Sequence, residues 1–249
     1  MMDEHFASGN SQLHRRNPKV KIIVAIAFIT VVAVTSNFTV ATMALIAAVL
    51  LISFARLAPG SVAKRLLAVN SFIVFLWLTL PLTYGGEQTL HLGPLSLSLE
   101  GIHIATLITL KANGIILALI ALLGTSTIAH LGHALDSLGL SKRLCFLLLF
   151  SYRYIFVIHN EYQKLNRALK IRCFSPATNI HTYRTYGYLF GMTLVRSWNR
   201  ASRVHQAMLL RGFNGQLIPL DTKTINRNDY FFLATSLLLT LILAILPLF

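Results

Sequence analysis

Five stretches of the chain carry few polar side chains: Ile22 to Val34, Thr39 to Phe54, Leu66 to Thr83, Ile102 to Leu123, and Tyr230 to Phe249. The last three match the roughly 17–25 residues that a membrane-spanning helix requires. The first two are shorter. Joined as one helix of about 35 residues they would reach about 52 Å, too long for a single span. Charge decides between one helix and two. A turn at Thr35 to Thr39 returns the loop holding Arg56, Lys64 and Arg65 to the side that holds Arg15, Arg16, Lys19 and Lys21, as the positive-inside rule requires.

The same logic extends along the chain. Tyr84 to Glu100 contains no Lys or Arg but has the turn signals Tyr84-Gly85-Gly86 and Leu92-Gly93-Pro94, so it is expected outside. Thr125 to Asp229 holds 14 of the 22 Lys and Arg residues against only Asp136, Glu161, Asp221 and Asp229, which places it in the cytoplasm. Five spans result, with the amino end in and the carboxyl end out. One further apolar run, from Leu144 to Ile158, is broken by Arg153 and falls below spanning length. It reads as a helix in or beneath the headgroup layer, the alternative being a sixth helix buried among the others.

The expected fold is therefore an all-α integral membrane protein with about five transmembrane helices and long cytoplasmic helices between the fourth and fifth. Its segments are a cytoplasmic amino-terminal part (1–21), a four-helix membrane region (22–123), a cytoplasmic and interfacial helical region (124–229) and a last transmembrane helix (230–249). Composition agrees, since 55% hydrophobic against 12% charged residues exceeds what a soluble domain carries. The formal net charge of +14 sits mostly in loops and the polar segment, so it speaks for topology and an acidic partner or lipid rather than nucleic acid. Residues 1–21 lack an apolar core, so no cleaved signal peptide is expected. Cys145 and Cys173 form no paired framework.

The polar segment contains a repeat. Asn166 to Phe174 reads NRALKIRCF and His205 to Phe213 reads HQAMLLRGF, which aligns Ala168 with Ala207, Arg172 with Arg211 and Phe174 with Phe213; Lys164 and Arg203 align as well. From Leu144 to Cys173 no Pro or Gly interrupts a helix, and Ser175-Pro176 stops it. A second helix is expected over about Thr185 to Arg211, ended by Gly212. On this second arm Leu194, Trp198, Ala201, Val204 and Met208 form an apolar stripe expected to seat the helix, while Arg196, Arg200 and Arg203 line another face. Ala168 and Ala207, one turn before each Arg, leave room for a second backbone. Each Arg taken singly could cap its own helix carbonyls. Two equivalent Arg-bearing arms instead suit a dimeric partner with two acidic sites, because guanidinium forks bind carboxylates bidentately.

With these motifs, FSYRYIFVI from Phe150 and NPKVKI from Asn17, the chain resembles the transmembrane coupling (T) component of energy-coupling-factor importers, an ABC transporter class, and most of all its CbiQ/NikQ type in cobalt and nickel uptake. The resemblance covers essentially the whole chain. It implies a bacterial inner-membrane subunit that binds two ATPase subunits (CbiO/NikO type) and a substrate-binding membrane subunit (CbiM/NikM type), with a small accessory membrane subunit in some assemblies. ATPase closure would be transmitted through the coupling helices, with ATP and magnesium held by the ATPases and no cofactor in this chain. The family's motif Arg residues fall on Arg172 and Arg211 and its Gly on Gly212, with Ala168 and Ala207 in the same motif; Lys164, Arg200 and Arg203 would add to the coupling surface. Both copies depart from the pattern, Ile171 and Leu210 replacing Ala before the Arg, and in the first copy Cys173 stands where Gly is expected, which disfavours a left-handed end there.

Other chemistry is thin. No GxxxxGK[ST] loop is present, so the chain supplies no phosphate cradle of that kind and is expected to be non-catalytic. His130 and His133 share a helical face, and Asp3, His5 and His14 lie near the amino end, but neither group has a convincing metal-ligand set. Lys111 lies mid-span with Asn113 near it and Asn70 in the preceding span, and reads equally as a functional charge or a structural hydrogen bond. The rival function, a self-sufficient secondary transporter, calls for repeats and ionisable groups at the membrane midplane, whereas here the repeat lies in the polar segment.

Overall fold

The computed structural model describes Phe6, Gly9 and residues 11–83, 89–92, 95–215 and 226–246. The chain forms α1 (Gln12–Arg15), α2 (Pro18–Val34), α3 (Phe38–Ala55), α4 (Pro59–Thr83), a hairpin of β1 (Thr89–Leu92) and β2 (Leu95–Ser98), α5 (Leu99–Leu122), α6 (Ile128–Ser137), α7 (Lys142–Ile171), α8 (Ile180–Leu210) and α9 (Arg227–Ile245). It divides into two compact units, one of residues 2–134 and 222–249, the other mainly residues 135–221.

In the first unit, α3, α4, α5 and α9 are long and apolar enough to cross a membrane. Five spans were expected. α2 is the exception: at 17 residues it sits at the short limit, and Lys19 and Lys21 occupy its first turn. The turn between α2 and α3 falls at Thr35 to Asn37, as charge balance requires. Residues 84–100, expected as plain loop, include the antiparallel pairing of β1 with β2; the Tyr84-Gly85-Gly86 and Gly93-Pro94 turn signals lie outside the described residues.

Small residues build the centre of this unit. Ala41, Ala44 and Ala48 of α3 and Ala118 and Ala121 of α5 are at most 2% exposed, as fits helices that pack by close backbone approach where lipid removes the hydrophobic drive. Gly101 is required where α5 meets α4, because a Cβ there would lie 2.8 Å from the Leu80 carbonyl oxygen. Outward positions such as Ile46, Phe72, Trp77 and Leu238 remain exposed, as a lipid- or subunit-facing surface should.

Polar side chains in this unit lock helices together. Asn17 caps α2 by accepting from the Lys19 amide at 3.0 Å, with Pro18 at the first helical position. Asp229, 4% exposed, completes a capping box with Asn226 at the start of α9, accepts from the Asn17 amide at 3.4 Å and faces Arg16 at 3.6 Å. Lys21 is fully buried and donates to Thr125 Oγ1 at 3.0 Å, Ser126 Oγ at 2.8 Å and the Thr125 carbonyl at 3.4 Å, just past the α5 carboxyl end. Lys111 donates to the Ala33 carbonyl at 3.2 Å, so it caps the end of α2. Asn70 and Asn113 exchange two 3.1 Å hydrogen bonds between α4 and α5. The mid-span polar groups Lys111, Asn70 and Asn113 thus each make a helix-to-helix hydrogen bond.

Candidate functional site

The second unit contains α7 and α8, both amphipathic rather than apolar throughout. α7, which contains the Leu144-to-Ile158 run, is not among the described helices long and apolar enough to span. α8 begins at Ile180, five residues before the expected start, because Asn179 accepts from the Thr182 amide at 2.8 Å and Gly187 and Gly191 are absorbed into the helix.

The two helices are antiparallel. Phe146 meets Phe213 at 5.3 Å, Glu161 meets Arg196 and Arg200, Tyr162 stacks on Phe190 at 5.8 Å, and Phe174 lies 6.2 Å from His181. Partners thus run in opposite senses along α7 and α8. The Arg172 end of α7 lies beside the start of α8, and the Arg211 end of α8 lies beside the start of α7. The two motif ends are separated by roughly the length between Phe146 and Arg172, on the order of 40 Å.

Glu161 is the only carboxylate described between these helices, and it holds their centre. It accepts from Arg196 Nη1 at 2.6 Å and Arg200 Nη2 at 3.4 Å. The Arg196 hydrogen bond, then the charges of Arg196, Lys164 and Arg200, hold its carboxyl below the usual range. Arg200, expected on the docking surface, is thereby tied to α7, whereas Lys164 and Arg203 remain exposed.

Each helix ends in the same way. In α7, Arg172 is the cap residue, Cys173 has φ +58°, the Cys173 amide donates to the Lys170 carbonyl at 3.1 Å and the Phe174 amide to the Leu169 carbonyl at 3.2 Å. In α8, Arg211 is the cap, Gly212 has φ +76°, the Gly212 amide donates to Leu209 at 3.0 Å and the Phe213 amide to Met208 at 3.0 Å. Both are Schellman stops, with the 5→2 and 6→1 bonds in place. Cys173 adopts the left-handed conformation that its side chain disfavours, so the first copy keeps the geometry of the second despite lacking Gly. The repeated Phe anchors each stop, Phe174 against His181 and Tyr186, Phe213 against Phe146. Both Arg side chains and both Ala residues of the motif, Ala168 and Ala207, are exposed.

The apolar stripe of α8 is largely open, with only Val204 and Met208 half-buried. Leu194 and Trp198 are 71% and 75% exposed, and with Phe150, Tyr154 and Ile158 of α7 they border a groove of about 690 Å³. A second groove of about 670 Å³ lies toward Arg172 and includes Ala168, Tyr188 and Met192. Glu161 ties the pair at its centre and aromatic contacts tie it at both ends, with an apolar groove open on either side of Glu161. Among the described residues no group of three or more His, Cys, Asp or Glu side chains gathers as a metal site, and His130 and His133 lie on α6 without such company.

The profile of the cobalt transport protein family, CbiQ, matches residues 9–223. An uncharacterized protein of Methanocaldococcus jannaschii is 21% identical over 224 residues, which cover 86% of this chain and 81% of the relative. The energy-coupling factor transporter transmembrane protein EcfT of Thermosediminibacter oceani is 23% identical over 223 residues, 84% of this chain and 83% of the relative.

Proposed function

Because the chain belongs to the CbiQ cobalt transport protein family, as a multi-pass transmembrane component of an energy-coupling-factor transporter, we propose that it couples ATP hydrolysis elsewhere to substrate movement through the two ends of the α7–α8 pair. The observation that carries this reading is the duplicated stop, two exposed Arg residues in one local geometry on the order of 40 Å apart. Such a pair fits two copies of one subunit related by symmetry. Arg172 with Ala168, and Arg211 with Ala207 and Gly212, each dock on one ATPase subunit of the CbiO/NikO type, where the guanidinium meets a carboxylate. Lys164 and Arg203 add positive charge beside the contacts.

On this reading the amino terminus and the α7–α8 pair face the cytoplasm of a bacterial inner membrane. A CbiM/NikM-type subunit, with or without a small accessory subunit, binds cobalt or nickel and rests against exposed apolar surface. ATP and magnesium belong to the ATPases. When the ATPase dimer closes, the docked ends approach, and the helices respond about the Glu161 ion pairs at their centre, with the grooves on either side leaving room for the pair to adjust.

The test is purification of the tagged chain from its native membrane, with identification of what co-purifies and an ATPase assay of the eluate. Recovery of an ATPase and a membrane subunit, with the ATPase lost from an Arg172→Glu, Arg211→Glu double variant, is the expected result. An intact complex with undiminished uptake in that variant would overturn the proposal.

A further inference from the structure

A polar cavity of about 500 Å³ lies where α1 meets the carboxyl end of α3, lined by Ser11, Gln12, Arg15, Ser53, Phe54 and Arg56. Two guanidinium groups border it, and no carboxylate does among the described residues. Asp229, at the start of α9, is engaged by Arg16 and the Asn17 amide. The cavity sits at the end of a helix long and apolar enough to span, hence at the edge of the apolar slab. Arg56 occupies a left-handed position, φ +48°, that Gly would adopt with less strain.

A second, apolar cleft of about 170 Å³ shares Phe54 with this cavity and continues between α2, α3 and α9, bordered by Val24, Phe28, Leu50, Phe54 and Leu239. Leu50 and Phe54 are 55% and 62% exposed, so the cleft opens on the lipid-facing side of α3. A doubly cationic cavity at headgroup level thus adjoins, across Phe54, an apolar cleft at acyl-chain level.

We propose that this is a binding site for one anionic phospholipid, its phosphate between Arg15 and Arg56 and part of an acyl chain along Leu50 and Phe54. Charge complementarity selects the headgroup, since forked guanidinium donors match phosphate oxygens. The adjoining apolar cleft selects a lipid over a free anion. The site lies wholly in the membrane unit and does not depend on the docking role of Arg172 and Arg211.

Native mass spectrometry of the full chain released from detergent tests it, with dioleoyl phosphatidylglycerol, dioleoyl phosphatidylcholine or inorganic phosphate added. Retention of one phosphatidylglycerol, preferred over phosphatidylcholine by roughly tenfold or more, is expected from two cations near the headgroup. An Arg15→Gln, Arg56→Gln variant should lose that preference, while Arg15→Lys, Arg56→Lys, which preserves both charges, should keep most of it. Lys64→Gln, outside the cavity, should behave as the parent. Equal retention of both lipids, unchanged preference in the Gln variant, or inorganic phosphate displacing the lipid at comparable concentration would each overturn the proposal. If the Gln variant loses its fold by circular dichroism, Leu50→Trp decides instead: filling the cleft should reduce phosphatidylglycerol retention, and unchanged retention contradicts the site.

Discussion

Arg172 and Arg211 are the cap residues of two matching Schellman stops, each followed by a left-handed residue and a Phe whose amide reaches the carbonyl five positions back. The ordered repeat of Ala, Arg, small residue and Phe is the sequence image of that stop. It fixes where each helix ends and therefore where each Arg is presented.

Cys173 carries a conformational cost that Gly212 does not. Cys173→Gly should stabilise the chain by about 1 kcal/mol and leave transport intact, measured as a raised melting temperature in detergent. A lower melting temperature would show that the side chain contributes packing that the left-handed backbone does not reveal.

Glu161 links the α7–α8 pair to pH. Its folded carboxyl titrates below the usual value, so the stabilisation is complete above the ordinary carboxylate range near 4.3 and is lost as pH falls through the lower folded value. Amide exchange in α7 and α8 should therefore be steady at neutral pH and accelerate in acid beyond the intrinsic change. Glu161→Gln should raise exchange at neutral pH and flatten that acid dependence.

Lys21 satisfies three oxygens beyond α5 while fully buried. Lys21→Met should cost about 1–3 kcal/mol, through the buried acceptors left behind, whereas Lys64→Met, at an exposed position of α4, should cost less than about 0.5 kcal/mol. Thermal unfolding of both variants in the same detergent compares them.

Asn70 and Asn113 form a reciprocal amide pair. Changing either one to Leu should cost about 0.6–1.7 kcal/mol, and changing both should cost less than the sum. Additive losses in a double-mutant cycle would mean that the two amides do not act as a pair.

Much of this architecture was legible in advance. The turn at Thr35 to Asn37 followed from two short apolar runs and the charges flanking them, and the end at Gly212 from a left-handed Gly after a basic helix. The left-handed Cys173 was not legible, because local cost argued against it and only the hydrogen bonds to Leu169 and Lys170 show the stop forming regardless. The antiparallel packing of α7 on α8 was hidden for a different reason: it depends on the lone acid Glu161 meeting Arg196 and Arg200 35 and 39 positions on. Those arginines were expected on an outward face that meets an acidic partner or water. Lys21 was visible only as one more charge on the basic side, since burial beside Thr125 is a tertiary fact 104 positions away. Trp198 and Leu194 misled in the opposite direction, their helical spacing suggesting a seat where the chain leaves an open groove.

The central claim is that the Arg172 and Arg211 ends are covered by the ATPases, and the chain carries its own probe. Cys173 is exposed beside Arg172, and the other cysteine, Cys145, is buried. Maleimide labelling of the complex purified from native membranes, followed by labelling of the chain after the ATPases are stripped, measures coverage directly. Slow labelling of Cys173 in the complex and rapid labelling after stripping is the predicted result, with Cys173→Ala abolishing the signal. Equal rates in the two states, with the ATPases shown to be present in the first, would contradict docking at the α7 end.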